Sequence, residues 1–241
     1  MQQRALKAVP KSVAWILITS LCLQLAWQSS RPSPTAYAEA LVFPPDHKTL
    51  QALSLGEPIA LSQLMTLYLQ AFDNQPGISI PYLDLDYDRV ENWLARILEL
   101  DPIGQYPLLM ASHIYAQVPD TAKQRKMLEF VYQQFFKDPG RRWPWLAHAA
   151  IMAKHRLNDL PLALHYAQAI RQYAAAPEVP HWASQMPIFI LEDLGEVESA
   201  KILLGGFLVS GVVTDPHEIH LLTERLQQLE DEEKSSRVPK N

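Results

Sequence analysis

The body of this chain has no cysteine. The single Cys22 lies in an apolar stretch near the start of its 241 residues. Disulfide frameworks, cysteine-bound zinc, haem attachment through paired cysteines and thiol catalysis are therefore excluded from residues 39–241. Glycine is scarce, 8 against 19 prolines, which argues against an all-β chain built on tight glycine turns. Basic charge is also short. Residues 1–38 hold Arg4, Lys7, Lys11 and Arg31 and no acid, so from a net −5 the remainder carries −9. A surface that acidic lacks the cations that displace counterions from phosphates, and no nucleic acid is expected as a partner. No Gly-x-Ser-x-Gly elbow, Walker-type loop, dinucleotide fingerprint or His-Glu-x-x-His occurs. Neither an enzyme nor a cofactor is therefore expected.

Apolar residues make up 48% and charged residues 20%, a globular composition long enough for one large domain or one repeat array. The first twelve residues are basic. Val13–Trp27 is a mostly apolar run of 15, and Ala36-Tyr37-Ala38 offers an A-x-A site. Residues 1–38 thus read as a signal peptide cleaved after Ala38, or as an uncleaved membrane anchor through residues 13–27. Fifteen residues is short for a span of about 20. Either reading keeps the basic end in the cytoplasm. The body is then expected in the periplasm, or on the periplasmic side of the inner membrane.

Hydrophobic spacing predicts helices almost throughout. Pro58 can open one that carries Leu61, Leu64, Met65, Tyr68, Leu69 and Phe72, since its missing N–H falls in the first turn. Residues 39–86 form this N-terminal helix and an extended connector. Val90, Trp93, Leu94, Ile97 and Leu98 make an amphipathic stripe. Asp120 is a cap for the helix bearing Met127, Leu128, Val131 and Phe135. The turn-like Arg141-Arg142-Trp143-Pro144-Trp145 precedes Leu146–Arg156, and a break at Leu157-Asn158-Asp159 leads into Leu160–Ile170. His181–Leu194 and Val197–Val209 follow. Asp215, Pro216 and Glu218 resemble a capping box at the last helix, and residues 230–241 read as a disordered charged tail.

The helices come in pairs with a period. Pro102, Pro139, Pro177 and Pro216 are 37, 38 and 39 residues apart, and Ala163 and Ala200, each just past a break, are 37 apart. Stepping back gives Met127 and Val90. Each of these positions is expected to face its partner helix, and Ala149, Ala150, Ala153, Ala163 and Ala167 to be close-packing sites. Leu194-Gly195-Glu196-Val197-Glu198-Ser199-Ala200, Leu100-Asp101-Pro102 and Asp138-Pro139 resemble the inner turn and the unit endings of the tetratricopeptide-repeat superfamily. The resemblance spans residues 87–229. It implies an all-α solenoid of αα-hairpins acting as a protein-interaction scaffold, with first helices lining a concave groove. A protein or peptide partner is expected on that basis. A rigid structural subunit of a membrane complex is the alternative.

Few side chains stand out as a site. Arg141, Arg142, Trp143 and Trp145, with His148 on the following helix, have the arginine and tryptophan content of a binding hot spot. They are the expected partner-binding residues, although Trp143 and Trp145 also suit packing between hairpins. Trp93 and Trp182 are expected in the core or between pairs. A metal-dependent enzyme would have to use His148 with His155, or His217 with His220. Neither spacing supplies a third ligand, so no metal is expected.

Overall fold

The computed structural model describes residues 10–31, 38–174, 179–211 and 213–237, with side chains to residue 231. The chain divides into two units, Met1–Glu39 with Asn74–Ser79, and Ala40–Asp73 with Ile80–Asn241. In the first, helix α1 (Lys11–Ser30) buries none of its residues and is long and apolar enough to cross a membrane. Its 20 residues extend the apolar run of the sequence at both ends and give a length of about 30 Å, the thickness of a hydrocarbon core. Strands β1 (Asn74–Gln75) and β2 (Ile78–Ser79) form a minimal antiparallel hairpin. Ala36 and Tyr37 of the cleavage motif lie outside the described residues, as does Pro177.

The second unit is all-α, and its helices pack in chain order. They are α2 (His47–Leu53), α3 (Pro58–Ala71), α4 (Tyr87–Leu100), α5 (Tyr106–Leu109), α6 (Thr121–Phe135), α7 (Pro139–His155), α8 (Leu160–Tyr173), α9 (His181–Asp193), α10 (Val197–Val209) and α11 (Pro216–Arg237). Helix α5 continues through a π turn at Met110–Ile114 and a 3-10 turn at Tyr115–Gln117. The helices start where local chemistry dictates. Asp86, Asp120 and Asp159 each accept a backbone N–H of the first turn, and Pro58 and Pro139 occupy the first helical position of α3 and α7. Asn158 and Gly195 both take positive φ, 50° and 76°, in the turns that end α7 and α9. The Asp159 and Glu196 N–H groups then donate bonds of 2.9 Å back to the Ala153 and Leu191 carbonyls, over six and five residues, so the two turns differ in detail although their positive-φ residues recur 37 apart.

Four helix pairs follow one another: α3–α4, α5 with α6, which meet through the π and 3-10 turns that continue α5, α7–α8 and α9–α10, with α11 packed on α10. Val90, Met127, Ala163 and Ala200 are all 0% exposed. Met127, however, stands seven residues past its cap, where the others stand four past theirs. The in-step residue of α6 is Gln124, buried with its amide donating to the Val118 carbonyl at 2.7 Å. Contacts between second helices recur at about one period. Lys126 on α6 meets Asp88 on α4 at 2.6 Å, Tyr132 on α6 and Phe136 just after it meet Tyr166 and Tyr173 on α8, and the Arg171 guanidinium on α8 lies over the Phe207 ring on α10.

Three local expectations change. Arg141–Trp145 is helical, not a turn, because Pro139 and Asp138 start α7 two residues earlier. Pro144 is accommodated inside α7, losing only the bond that would reach Gly140. Glu218 does not close a capping box; its carboxylate accepts from Gln185 on α9 at 2.7 Å, while Asp215 accepts the His217 N–H at 3.0 Å. Finally, α11 continues through the charged tail to Arg237, since Glu, Gln, Lys and Arg are good helix formers.

Candidate functional site

The first helices of successive pairs touch through aromatic and amide side chains. Gln70 on α3 donates to the Tyr106 hydroxyl on α5. The Trp145 indole N–H on α7 donates to Gln105 Oε1, just before α5, at 2.7 Å. Trp143 on α7 packs edge-on to Trp182 on α9, with centroids 5.5 Å apart. These partners stand 36 to 40 residues apart.

At the centre of this row is a histidine stack. The rings of His113, on the π turn, and His148, on α7, lie 3.5 Å apart and within 15° of parallel. Trp145 meets His113 edge-on at 5.8 Å. The buried Ser112 hydroxyl donates to the Leu108 carbonyl at 2.9 Å and contacts His113 Nδ1 at 2.8 Å. With its proton committed to Leu108, that hydroxyl accepts from His113 Nδ1–H, so His113 is a donor there and not a base for Ser112. Parallel stacking also sets the two rings' in-plane lone pairs side by side, where they cannot converge on one ion. Among the described residues, no three of His, Cys, Asp and Glu gather as a metal set. His155 ends α7, while His217 and His220 lie on α11, and His220 pairs with Glu224 at 3.3 Å.

Both stacked histidines titrate below the ordinary value. For His148 the main cause is burial, reinforced by the neighbouring His113 and opposed by a backbone bond to Ser112; for His113 the cause is burial. The folded state therefore binds fewer protons than the unfolded chain in the range just below the ordinary imidazole pKa of about 6.5. The stability from this stack is complete above about pH 6.5 and is lost as pH falls through the lower folded-state values. Thermal melting followed from pH 7.5 down to pH 5 should show that decline, and His148→Phe should reduce it. An equal decline in both proteins would show that the stack does not titrate in this way.

The structure separates the five expected contact residues. Trp145 and His148 join the stack. Trp143 turns to Trp182, which is 52% exposed. Arg141 is an exposed side chain paired with Asp138 at 2.6 Å. Arg142 is corrected: it is 2% exposed and bonds inward to the Gln134 carbonyl at 2.7 Å and the Pro102 carbonyl at 2.9 Å. Its guanidinium fills the gap where two helix ends leave acceptors without intrahelical donors, so no partner can reach it. His113, Gln105 and Tyr106 were not singled out from the sequence. Register could have found them, since each lies about one period from a residue it touches. No family model, curated protein or solved structure matches the chain.

Proposed function

We propose that this protein is an exported or membrane-anchored helical-repeat scaffold, tetratricopeptide-like in architecture, that binds an extended protein segment along its first helices. One observation carries this reading. Successive first helices meet side by side through Tyr106, Gln105, Trp145, Trp143 and Trp182 at separations near one period, leaving aromatic faces in a row. Amides suit the backbone of a bound segment and aromatic rings suit its apolar side chains. The helix α1 supports placement at the inner membrane with the body on the periplasmic side, either as an anchor or as a signal. Stacked rings and a committed serine proton favour binding over catalysis.

Crosslinked capture from intact cells tests the reading, using a reagent that does not cross the inner membrane. The full chain should capture a partner in stoichiometric yield. The His113→Ala/Trp182→Ala variant, altered at two exposed positions, should capture at least tenfold less, about 1.4 kcal/mol, and should melt only a few degrees below wild type, since each lost ring pair costs about 1 kcal/mol. Equal capture by the variant would dismiss the aromatic row as the binding surface. Capture that requires a reagent able to enter the cytoplasm would dismiss export.

A further inference from the structure

Helix α3 turns an unusual face to solvent. Ser62, Met65 and Leu69 are buried, while Ala60, Leu64, Leu67 and Ala71 are exposed on the other side. Leu64 and Leu67 are 63% and 60% exposed. The outward residues are spaced four, three and four apart, the alternation of a helix-pairing seam. No residue between Glu57 and Asp73 carries a charge. The flanking seam positions, Gln63, Gln70 and Tyr68, are neutral as well.

Two further observations point to a covering partner. Leu55, on the turn into α3, holds φ of 49° with its side chain 91% exposed. Its left-handed backbone belongs to the turn that ends α2, and its side chain adds an exposed apolar group near the start of α3. Next to the seam is a cavity of about 410 Å³, lined among others by Gln63, Thr66, Leu67, Ile97, Tyr106 and Pro107. An open hole beside a ridge is what an interdigitating helix fills.

The order of residues along the seam selects the occupant. Ala60-x3-Leu64-x2-Leu67-x3-Ala71 reads the same in both directions. Two copies crossing antiparallel about a two-fold axis therefore set Leu64 against Leu67 and Ala60 against Ala71, small residues at the ends and large ones at the centre. A two-fold interface requires such self-complementarity. Charge permits the same occupant: a body of −9 repels its own copy at its charged faces, whereas residues 58–72 of this face are neutral and only Asp101, in the adjoining cavity, carries charge.

We propose that α3 pairs with α3 of a second copy, forming an antiparallel homodimer. A 14-residue helix is about 21 Å long, a small interface beside the roughly 800 Å² per partner of stable complexes. Pairing is therefore weak in dilute solution and is strengthened when copies share one membrane. That strengthening rests on the proposed anchor, whereas the pairing itself does not.

The test uses the full chain with Cys22→Ser, in detergent and in phosphatidylcholine–phosphatidylglycerol vesicles. Copies with Leu64→Cys are mixed with copies with Leu67→Cys and mildly oxidised. A mixed disulfide dimer should form at least tenfold above a control pair carrying Gln168→Cys on α8. Adding the solvent-facing Ala60→Glu and Ala71→Glu should return it to the control level. Melting should stay unchanged, and His113→Ala/Trp182→Ala should leave the dimer intact even where capture fails. Crosslinking at the control level at high protein concentration, or insensitivity to the two glutamates, overturns the proposal. So does a solvent-sensitive dye on Leu64→Cys that stays dry at every lipid dilution, since lipid and not a second copy would then cover the face.

Discussion

Arg142→Ala should lower stability by roughly 3–5 kcal/mol, because it leaves the Gln134 and Pro102 carbonyls without their donor, at about 1–3 kcal/mol each, and opens a cavity where the guanidinium packed. In a body of this size that shifts the melting midpoint by on the order of 10 °C. The reasoning follows from where the guanidinium sits. It is buried, and it donates at 2.7 Å to the Gln134 carbonyl, at 3.3 Å to the Gln134 amide oxygen and at 2.9 Å to the Pro102 carbonyl. Gln134 belongs to α6 and Pro102 follows α4, so one side chain of α7 closes two earlier helix ends. Burial pulls its pKa down from the ordinary arginine value, and the nearby Asp138 opposes that. The group stays charged because guanidinium pKa values start so high. Arg142→Lys should recover only part of the loss, since one ammonium cannot present the planar fork that spans both carbonyls. Urea denaturation of the three proteins measures this. Wild-type melting in Arg142→Ala, together with lost partner capture, would return the residue to the binding surface.

That residue also marks where sequence reading stops. The determinants of helix starts are local, so Asp120 could be read as a cap and Pro58 as a first-turn residue without any tertiary information, whereas Pro139, read as a unit ending, is the first residue of α7. The stripe of Val90, Trp93, Leu94, Ile97 and Leu98 could be read for the same reason, because its burial (0–7% exposed) follows from helical periodicity alone. Arg142 differs. Its fate depends on carbonyls 8 and 40 residues away, and an arginine beside two tryptophans looks the same in a sequence whether it faces a partner or a helix end. Trp145 and His148 were legible as unusual residues, but their neighbour His113 was not. It sits on a π turn, and nothing in Met110–Ile114 announces one. Trp182 was expected in the core or between pairs. It does bridge α7 and α9 through its edge-type contact with Trp143, yet it keeps half its surface exposed.

The pairing of α7 with α8 supports the second large prediction. Ala149, Ala150, Ala153, Ala163 and Ala167 are each 0% exposed, and these two helices make the most extensive contact in the chain. Alanine at these points lets the backbones approach, and a close-packed interior has no spare volume for added methylenes. Ala163→Leu adds three carbons where none fits, forcing off-rotamer side chains or separating the helices. A loss of roughly 3 kcal/mol is expected, the upper end for overpacking. Met127→Leu is the control, a swap of similar volume at a position equally buried, and should cost under about 1.5 kcal/mol. The contrast matters more than either value, because Ala163 and Met127 were placed by the same count of residues along the period. If the period alone governed packing, the two sites would respond alike. The structure gives a different reason: Ala163 stands four residues past its cap, where two backbones meet, and Met127 stands seven past its own, where a long side chain has room. Equal losses in a denaturant titration would mean that the α7–α8 approach is not the tight point of the fold. A large loss at Ala163 alone would locate that point in the hairpin that presents Trp145 and His148, and would tie the geometry of the histidine stack to the backbone approach behind it.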